Sequence, residues 1–349
     1  MVIFDNDLSP SQIRVLTELC GVQVLDRSGL ILDIFAQRAR TKEGCLQVEL
    51  AQYQYLLPRL IGMWSHLERQ GGTGGSPIGT KGPGETQLET DRRHIRRKID
   101  KLKEELEEVR RVRATQRQRR QKNEIPVVAI VGYTNAGKST LLNAITGAGI
   151  PANNRLFDTL DTTTRLLTVS DTLDVVISDT VGFIRKLPHQ LVEAFKATLE
   201  ELEYADLLLH VIDASNPEWQ EQARIVDDLI RELGADGIPC IRVYNKSDLA
   251  FAFQRDKEGD AVSVSAKTGE GLDRLLVAID KKLDKGTKRV TLHLPYDKAG
   301  ALDSLYREAK VESVEYGETV DVVAVCTPRV IGRLKDYIEG WTEPKEDWE

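Results

Sequence analysis

The chain has 349 residues, enough for about two or three domains, and 41% of them are hydrophobic, which allows real cores to form. The net charge is −7, so the protein as a whole is not a polycation, and any nucleic-acid contact must use a local basic patch. No stretch reaches the ~18 apolar residues of a membrane span, and the N-terminus lacks the basic-then-apolar order of a signal peptide. The four cysteines, at 20, 45, 240 and 326, show neither paired nor metal-binding spacing, which predicts reduced, buried thiols in a cytoplasmic protein.

The first 70 residues predict a small αβ region followed by a pair of helices. Residues 2–5 and 22–25 are typical of short strands, and between them Ser9 and Pro10 fit the N-cap and first position of a helix that ends near Cys20. Two strands make only a thin layer, so we expect a domain that is truncated at its N-terminus or completed by something else. From residue 30 to about residue 70 apolar residues recur at helical spacing, with a break at residues 42–44.

Residues 71–84 interrupt this pattern with seven glycines and two prolines, so neither a helix nor a strand is expected to persist there. A flexible linker is one interpretation. A functional loop is the alternative, because the segment runs directly into the distinctive sequence ETQLETDRR at residues 85–93.

One long helix or coiled-coil arm is predicted over residues 85–122. Its apolar stripe consists of Leu88, Ile95, Ile99, Leu102, Leu106, Val109 and Val112. Between residues 92 and 122 there are fourteen Lys and Arg but only five Asp and Glu. A solvated helix face would explain such a run, but an excess of nine positive charges in an acidic protein favours contact with an RNA backbone. The candidate RNA-contacting residues are Lys81, Arg92, Arg93, Arg110, Arg111, Arg113, Arg117, Arg119 and Arg120.

A phosphate-binding motif follows the arm. The apolar strand at 127–131 leads into GYTNAGKS at 132–139, and a helix is predicted from residue 140 to residue 148. A glycine-rich turn between strand and helix is the simpler interpretation, but the flanking elements favour a P-loop, in which backbone N–H groups and the helix N-terminus hold phosphates. We expect Lys138 to reach the β and γ phosphates and Ser139 to ligate Mg²⁺. The nucleotide-contacting residues predicted here are Gly132, Tyr133, Thr134, Asn135, Ala136, Gly137, Lys138, Ser139 and Thr140.

Two further segments fit the switches of a GTPase. After a strand at 174–177 come Asp179, Thr180, Val181 and Gly182, where Asp179 would hold Mg²⁺ through water and the Gly182 amide would sense the γ-phosphate. Between the two motifs lies the loop Phe157, Asp158, Thr159, Leu160 and Asp161. Thr159 is our candidate for the threonine that closes on Mg²⁺, with Thr162, Thr163 and Thr164 as competitors. Lys138, Thr159 and Gly182 form the predicted catalytic set.

Residues Asn245, Lys246, Ser247 and Asp248, and then Ser265, Ala266 and Lys267, predict selection of guanine. The Asp248 carboxylate can accept from the N1–H and amino groups of guanine, whereas adenine would leave it desolvated and unpaired. Asn245 is expected to face the N7/O6 edge, the Lys246 stem to cover the ring, and the Ala266 N–H to bind O6. An ATPase is a remaining possibility, against which Asp248 argues.

These segments together predict an α/β fold. A P-loop GTPase domain with a mixed, mostly parallel sheet and helices on both faces occupies residues 125–286. It follows the partial αβ region (1–70), the glycine-rich loop (71–84) and the basic helical arm (85–122), and it precedes a small α+β domain with a tail (288–349). In that last domain we expect strands at 290–294, 311–316 and 318–325 and helices at 300–309 and 329–338, a βαββα unit.

Four segments make the chain resemble the HflX family, translation-associated GTPases of the Obg–HflX group. They are DIFAQRAR at 33–40, KGPGETQLETDRR at 81–93, GYTNAGKS at 132–139 and DTVGFIR at 179–185. The resemblance covers nearly the whole chain. The chain differs from the family pattern in two places. Family members usually carry further αβ repeats before the segment equivalent to Val2, and the loop at 71–78 is longer than usual.

The resemblance implies a GTPase that binds the large ribosomal subunit and its RNA, splits stalled or idle ribosomes, and uses Ser139 and Thr159 as Mg²⁺ ligands. An Obg-like factor for ribosome assembly or RNA remodelling is the alternative. We expect a cytoplasmic monomer that does not bind DNA. Asn135 is a candidate ligand for K⁺ beside the phosphates.

The residue after Gly182 bears on the rate of hydrolysis. Ras-like enzymes place there a glutamine that orients water, but this chain has Phe183. Intrinsic hydrolysis should therefore be nearer the unassisted scale of ~10⁻⁴ s⁻¹ than an assisted ~10 s⁻¹, with the ribosome supplying the stimulation.

Overall fold

The computed structural model describes residues 1–60, 83–122, 125–147, 163–171, 173–180, 182–185, 202, 204–249, 261–284, 286–298 and 300–340. The strands are β1 Val2–Ile3, β2 Val24–Leu25, β3 Val127–Gly132, β4 Thr163–Ser170, β5 Leu173–Asp179, β6 Leu207–Asp213, β7 Cys240–Asn245, β8 Ala261–Ser263, β9 Lys288–Leu294, β10 Lys310–Tyr316 and β11 Val320–Cys326. The α-helices are α1 Pro10–Cys20, α2 Arg27–Arg38, α3 Lys42–Leu56, α4 Pro83–Lys122, α5 Lys138–Thr146, α6 Trp219–Glu232, α7 Leu272–Leu283, α8 Gly300–Glu308 and α9 Pro328–Leu334.

The N-terminal region confirms the predicted order of elements. Ser9 caps α1, as expected, and also forms a capping box with Gln12, while β1 pairs with β2 in parallel. Strand β2 begins at residue 24, two residues later than predicted. The break between α2 and α3 lies at 39–41 and not at 42–44, because the Thr41 side chain accepts from Gly44 N at 3.0 Å and so places residues 42–44 in the first turn of α3.

A buried polar network around Asp26 joins α2, α3 and the loop before α1. The Asp26 carboxylate is fully buried and accepts from Gly29 N at 2.8 Å, the Tyr55 hydroxyl at 2.6 Å, Arg59 Nη2 at 3.0 Å and Leu8 N at 3.3 Å. The Arg59 guanidinium carbon lies 3.4 Å from the centre of the Tyr55 ring. Burial and the bond to Asp26 raise the pKa of Tyr55, so the phenol stays a donor. One carboxylate thus fixes three segments of chain.

We expect Asp26→Ala to lower the free energy of unfolding by about 3–5 kcal/mol, since it leaves the partly buried Arg59 charge without its partner. Thermal or urea unfolding measures the loss. Asp5→Ala is the matched control, because Asp5 is an exposed partner of Arg27 and its loss should cost less than about 1 kcal/mol. Equal losses for the two variants would contradict this account of the network.

Helix α4 packs its apolar stripe against α3. Its 40 residues begin at Pro83, two residues inside the segment that was predicted to be loop, because proline is tolerated in the first turn of a helix. The buried cluster comprises Leu46, Leu50, Leu60, Ile95, Ile99, Leu102 and Leu106. The predicted stripe is confirmed from Ile95 to Val109, but Val112 is exposed, so this contact ends before the last turns of α4.

The central sheet has the strand order β4-β5-β3-β6-β7-β8. Pairing is parallel between β5 and β3, β3 and β6, β6 and β7, and β7 and β8. Strands β3 and β6 are almost continuously apolar and buried, as parallel strands covered on both faces are. Their carboxyl ends converge on one edge, where parallel α/β sheets place their ligands.

One hydrophobic cluster joins the helices of the N-terminal region to the sheet and to α6. Ile31, Phe35 and Val48 belong to it together with Val131 and Val226. Residues 1–166 and 176–272 form one compact unit.

A second compact unit, residues 167–175 with 273–349, contains the predicted βαββα arrangement. Its three-stranded antiparallel sheet has the order β10-β11-β9. Strand β11 begins at residue 320 and not at the predicted residue 318. Helix α9 ends at residue 334, and residues 335–337 form a 3₁₀ turn in place of the last predicted helical turn. The buried cluster is Val290, Leu292, Leu294, Leu305, Val320, Val322, Ala324, Cys326, Val330, Ile331 and Leu334.

Two further observations concern membrane spans and the cysteines. Among the described helices, none is both long and apolar enough to span a lipid bilayer. All four cysteines are free thiols, as expected. Cys326 is buried as predicted, but Cys20 and Cys45 are exposed and Cys240 is half-buried, so the prediction of buried thiols is wrong for these three.

Candidate functional site

The phosphate loop, residues 132–139, connects β3 to α5 at the carboxyl edge of the sheet. Two of its positions require glycine. A Cβ at residue 132 would lie 2.3 Å from the Val211 carbonyl oxygen, and a Cβ at residue 137 would lie 2.2 Å from Asn245 Nδ2. Gly137 also has a φ of 94° as the N-cap of α5, which is why that helix begins at Lys138, two residues before its predicted start. The loop can therefore approach its neighbours as closely as a phosphate cradle requires.

Lys138 is buried at the centre of this loop. Its Nζ donates to the carbonyl oxygens of Gly132 at 3.1 Å and Tyr133 at 3.0 Å. Burial lowers the pKa of Lys138 to about 8, and the negative charge of Asp179 opposes the decrease only in part. The ammonium group is therefore held where an anion would stabilise it.

Ser139 and Asp179 meet at the predicted metal position. Ser139 Oγ donates to Asp179 Oδ2 at 2.7 Å, and Asp179 is fully buried at the end of β5. Next to it, Thr180 Oγ1 donates to the Ile130 carbonyl at 2.6 Å, which fixes the end of β5 to β3. The structure thus brings together these two predicted Mg²⁺ ligands from distant parts of the sequence.

Gly182 and Phe183 extend the sheet edge alongside the phosphate loop. Thr134 N donates to the Phe183 carbonyl at 2.7 Å, and Phe183 N donates to the Gly132 carbonyl at 3.1 Å. A Cβ at residue 182 would lie 2.9 Å from Thr134 Cγ2 and 3.0 Å from Lys138 Nζ. A side chain at residue 182 would therefore crowd Thr134 and Lys138, and the backbone of Gly182 lies next to the Lys138 ammonium group.

The Phe183 side chain points into the protein core. It is 2% exposed and belongs to the same cluster as Phe35 and Leu202. The next residues are also held, since Arg185 N donates to the Tyr133 hydroxyl at 3.1 Å and Arg27 Nη2 donates to the Arg185 carbonyl at 2.8 Å. The sequence indicated only that Phe183 cannot orient water. The structure gives it a packing role between the carboxyl edge of the sheet and α2.

The base loop, residues 245–248, is connected to the phosphate loop by side chains. Asn245 Nδ2 donates to the Ala136 carbonyl at 2.9 Å, while Asn245 Oδ1 accepts from Ala266 N at 3.0 Å. Ser265 Oγ donates to Asp248 Oδ1 at 2.7 Å. The predicted contacts of Asn245 and Ala266 with guanine stay predictions. In the structure the Asn245 side-chain oxygen and the Ala266 N–H bond to each other. Asp248 is oriented by Ser265 before any base arrives.

Comparison with known proteins shows which family the chain belongs to. The family models that match are "GTP-binding GTPase N-terminal" over residues 1–36, "GTP-binding GTPase Middle Region" over 38–120, "50S ribosome-binding GTPase" over 127–246 and "HflX C-terminal domain" over 250–327. A GTPase HflX of Caldanaerobacter subterraneus subsp. tengcongensis is 52% identical over 339 residues, which cover 97% of this chain and 78% of that protein. The chain belongs to the HflX family. It binds GTP and hydrolyses it.

Two further proteins are similar to this HflX-family chain. GTPase HflX of Escherichia coli is 49% identical over 318 residues, covering 89% of this chain and 74% of that one. A solved GTP-binding protein of Sulfolobus solfataricus in complex with GDP is 28% identical, with a TM-score of 0.47 over 80% of this chain and 79% of that one.

Some predicted site residues of this HflX-family chain lie outside the described residues. These are Lys81, Phe157, Asp158, Thr159, Leu160, Asp161, Thr162 and Val181. Thr163 and Thr164, the described competitors of Thr159, are the first two residues of β4. Arg113, Arg117, Arg119 and Arg120 lie in α4, and only their backbone is described.

The basic arm presents more positive charge than the candidate residues alone suggested. Arg93, one of the candidates, is exposed, and so are Arg96, Arg97, Lys101 and Lys103, which were not among the candidates. Two candidates are paired with acidic neighbours one turn away, Arg110 with Glu107 at 3.6 Å and Arg111 with Glu108 at 3.5 Å. The helical spacing of positions 93, 96 and 97 was the signal that sequence reasoning missed, since i, i+3 and i+4 residues share a face.

Asp213 and Tyr133 were also missed as residues that shape the site. Asp213 ends β6, and its Oδ2 accepts from Lys246 Nζ at 2.6 Å. Tyr133 was predicted as a nucleotide-contacting residue, and its hydroxyl also accepts from Arg185 N. For Asp213 the available signal was its place at the carboxyl end of a buried strand, the position at which Asp179 and Asn245 were recognised.

Proposed function

We propose that this GTPase is a switch that binds the large ribosomal subunit in its GTP form and is reset by hydrolysis. The observation that carries the proposal is the basic face of α4 in a chain of net charge −7. Exposed Arg93, Arg96 and Arg97 form that face, and the sequence carries seven more Lys and Arg between residue 110 and residue 122. Such a local excess is what an RNA phosphate backbone attracts. The family description "50S ribosome-binding GTPase" supports the large subunit as partner.

Mg²⁺ is implied by this family, and the residues present suit it. A serine hydroxyl and a buried carboxylate, 2.7 Å apart, are the hard oxygen donors that Mg²⁺ prefers, with water completing its shell. We propose that Ser139 holds the ion directly, that Asp179 holds it through water, and that Thr159 is a further ligand. Bound there, the ion would neutralise phosphate charge. Lys138 would bind the β and γ phosphates, and the Gly182 amide would report on the γ-phosphate.

Hydrolysis is proposed to be slow until the ribosome assists. Phe183 offers no polar atom to orient water, and its ring is committed to the core. The partner must then order the switch segments or supply the missing group. GTP turnover with and without purified large subunits decides this, and equal turnover in both conditions would contradict the proposal.

The proposed partner is tested directly by sedimentation. With a non-hydrolysable GTP analogue the protein should sediment with large subunits, and with GDP it should bind more weakly. Dissociation of intact ribosomes into subunits without hydrolysis would support ribosome splitting. Unchanged ribosomes, together with defective maturation of precursor subunits in a deletion strain, would instead support the alternative, an Obg-like assembly or RNA-remodelling factor. We propose that the protein acts in the cytoplasm.

Reversing the charges of Arg117, Arg119 and Arg120 to glutamate should weaken binding to the large subunit by about tenfold or more at low salt, because each phosphate contact contributes to a salt-dependent affinity. GDP affinity should not change. A matched control reverses Lys281, Lys288 and Lys298, three exposed lysines with the same total charge. Equal weakening by both triple variants would mean that net charge, and not α4, governs binding.

K⁺ dependence is a further proposal for the same loop. Asn135 is exposed, has a left-handed φ of 63° and lies in the phosphate loop. We propose that it helps to hold K⁺ beside the phosphates. Faster turnover in K⁺ than in Na⁺ at equal ionic strength supports this, and an Asn135→Ala variant should remove the difference.

A further inference from the structure

We propose that Asp213 is a positioning residue of the guanine site and that it acts through Lys246. Its Oδ2 accepts from Lys246 Nζ at 2.6 Å, while its Oδ1 accepts from Ser215 N at 3.1 Å and Ser215 Oγ at 2.6 Å. The carboxylate is thus held on one side by its own turn and holds the lysine on the other. The inference rests on the proposed role of residues 245–248 in binding guanine.

The location of Asp213 makes it specific to this site. It is the last residue of β6 and lies in register with Asn245, the last residue of β7. Ala214 N donates to the Asn245 carbonyl at 2.9 Å, which fixes the two strand ends relative to each other. Asp213 therefore cannot shift without moving the base loop.

Lys246 connects this carboxylate to the phosphate loop. The same Nζ that bonds to Asp213 also donates to the Asn135 carbonyl at 2.9 Å. Both Lys246 and Asn135 have left-handed backbone conformations, with φ of 61° and 63°, which non-glycine residues rarely adopt. The Lys246 side chain therefore joins the base loop to the phosphate loop at the positions where each loop has a left-handed backbone.

Two fixed acceptors limit the freedom of a long side chain. A lysine has four rotatable bonds and pays a large entropy cost when it is ordered. With Asp213 and Asn135 both bound to Nζ, the methylene stem is ordered before the purine binds. Ordering the stem therefore does not reduce the free energy of purine binding. The side chains of Asp213 and Lys246 are 12% and 26% exposed, so solvent weakens their attraction less than at an open surface.

The experiment is a double-mutant cycle on GDP affinity. Asp213→Asn should weaken fluorescent GDP binding by roughly tenfold, mainly through faster dissociation, because the hydrogen bond from Lys246 loses its charge assistance. Lys246→Met should weaken it as well. In the Lys246→Met background, Asp213→Asn should change the affinity by less than about twofold, since the carboxylate no longer has a lysine to position. Equal factors in both backgrounds, or no effect in either, would overturn the proposal.

Two variants guard against a purely structural effect. Ser215→Ala removes one support of Asp213 at an exposed position and should weaken GDP binding in the same direction by a smaller factor. Asp228→Asn breaks an exposed ion pair on α6 and should leave affinity unchanged. Unfolding temperature without nucleotide is measured for each; a loss of GDP affinity that merely follows that temperature across the set would also overturn the proposal. The wild-type protein binding GDP but not ADP tests the guanine site itself, separately from Asp213.

Discussion

Asp248→Asn is expected to lower the affinity for GTP by about 10³- to 10⁴-fold and to favour xanthosine triphosphate. Guanine offers an N1–H and an amino group, and an asparagine turns one of the two acceptor oxygens into a donor that opposes them. Xanthine carries an oxygen where guanine carries the amino group, so the new donor has a partner. Ser265 can still donate to the remaining oxygen, as it does to Asp248 Oδ1 at 2.7 Å, which preserves the side-chain orientation.

Competition of both triphosphates against fluorescent GDP or XDP measures the exchange of preference. Asp236→Asn, at an exposed position after α6, is the control and should bind GTP like the wild type. Retained GTP affinity in the Asp248 variant would mean that the base is read elsewhere. Gain of ATP binding in its place would revive the ATPase interpretation.

Phe183→Gln is expected to destabilise the protein by about 3–5 kcal/mol without accelerating hydrolysis. The ring is 2% exposed among Phe35, Val131 and Leu202, so a glutamine there would bury an amide with no partner and leave a cavity. Since the backbone of residue 183 is bonded to both Gly132 and Thr134, the new side chain would start on the core side and not at the phosphates.

Urea unfolding and single-turnover GTP hydrolysis measure the two effects separately. Phe183→Leu is the matched control, because it stays apolar and should lose about 1–2 kcal/mol. A glutamine variant that unfolds like the wild type and hydrolyses GTP at least tenfold faster would show that the side chain can reach the nucleotide. In that case the burial of Phe183 would not describe the active conformation.

The phosphate and base motifs could be read from the sequence because each is a short contiguous segment. Gly132–Ser139 and Asn245–Asp248 specify their own loops, since the glycine positions and the strand before each motif are local properties. Helix α1 was placed within its observed limits for the same reason: its cap, its proline and its apolar spacing lie within one stretch of chain.

Errors in the prediction occurred where a distant or bonded partner decides the boundary. The break before α3 lies earlier than predicted because the Thr41 side chain accepts a hydrogen bond from Gly44 N. Helix α5 begins earlier than predicted because Gly137 adopts a left-handed conformation next to Asn245. Neither event leaves a mark in hydrophobic spacing. The exposure of Val112 likewise depends on how far α3 extends beside α4.

By itself the sequence determined the class of nucleotide, the order of the elements and the excess charge on the arm, because these are written in contiguous motifs and composition. Only the tertiary structure decided which residues support them. Phe183 packs with Phe35, and Asp213 accepts a hydrogen bond from Lys246. Asp26 accepts hydrogen bonds from Tyr55 and Arg59, and each of these contacts spans a long separation in the chain. Such contacts arise when strands and helices pack, and no spacing rule along the chain encodes them.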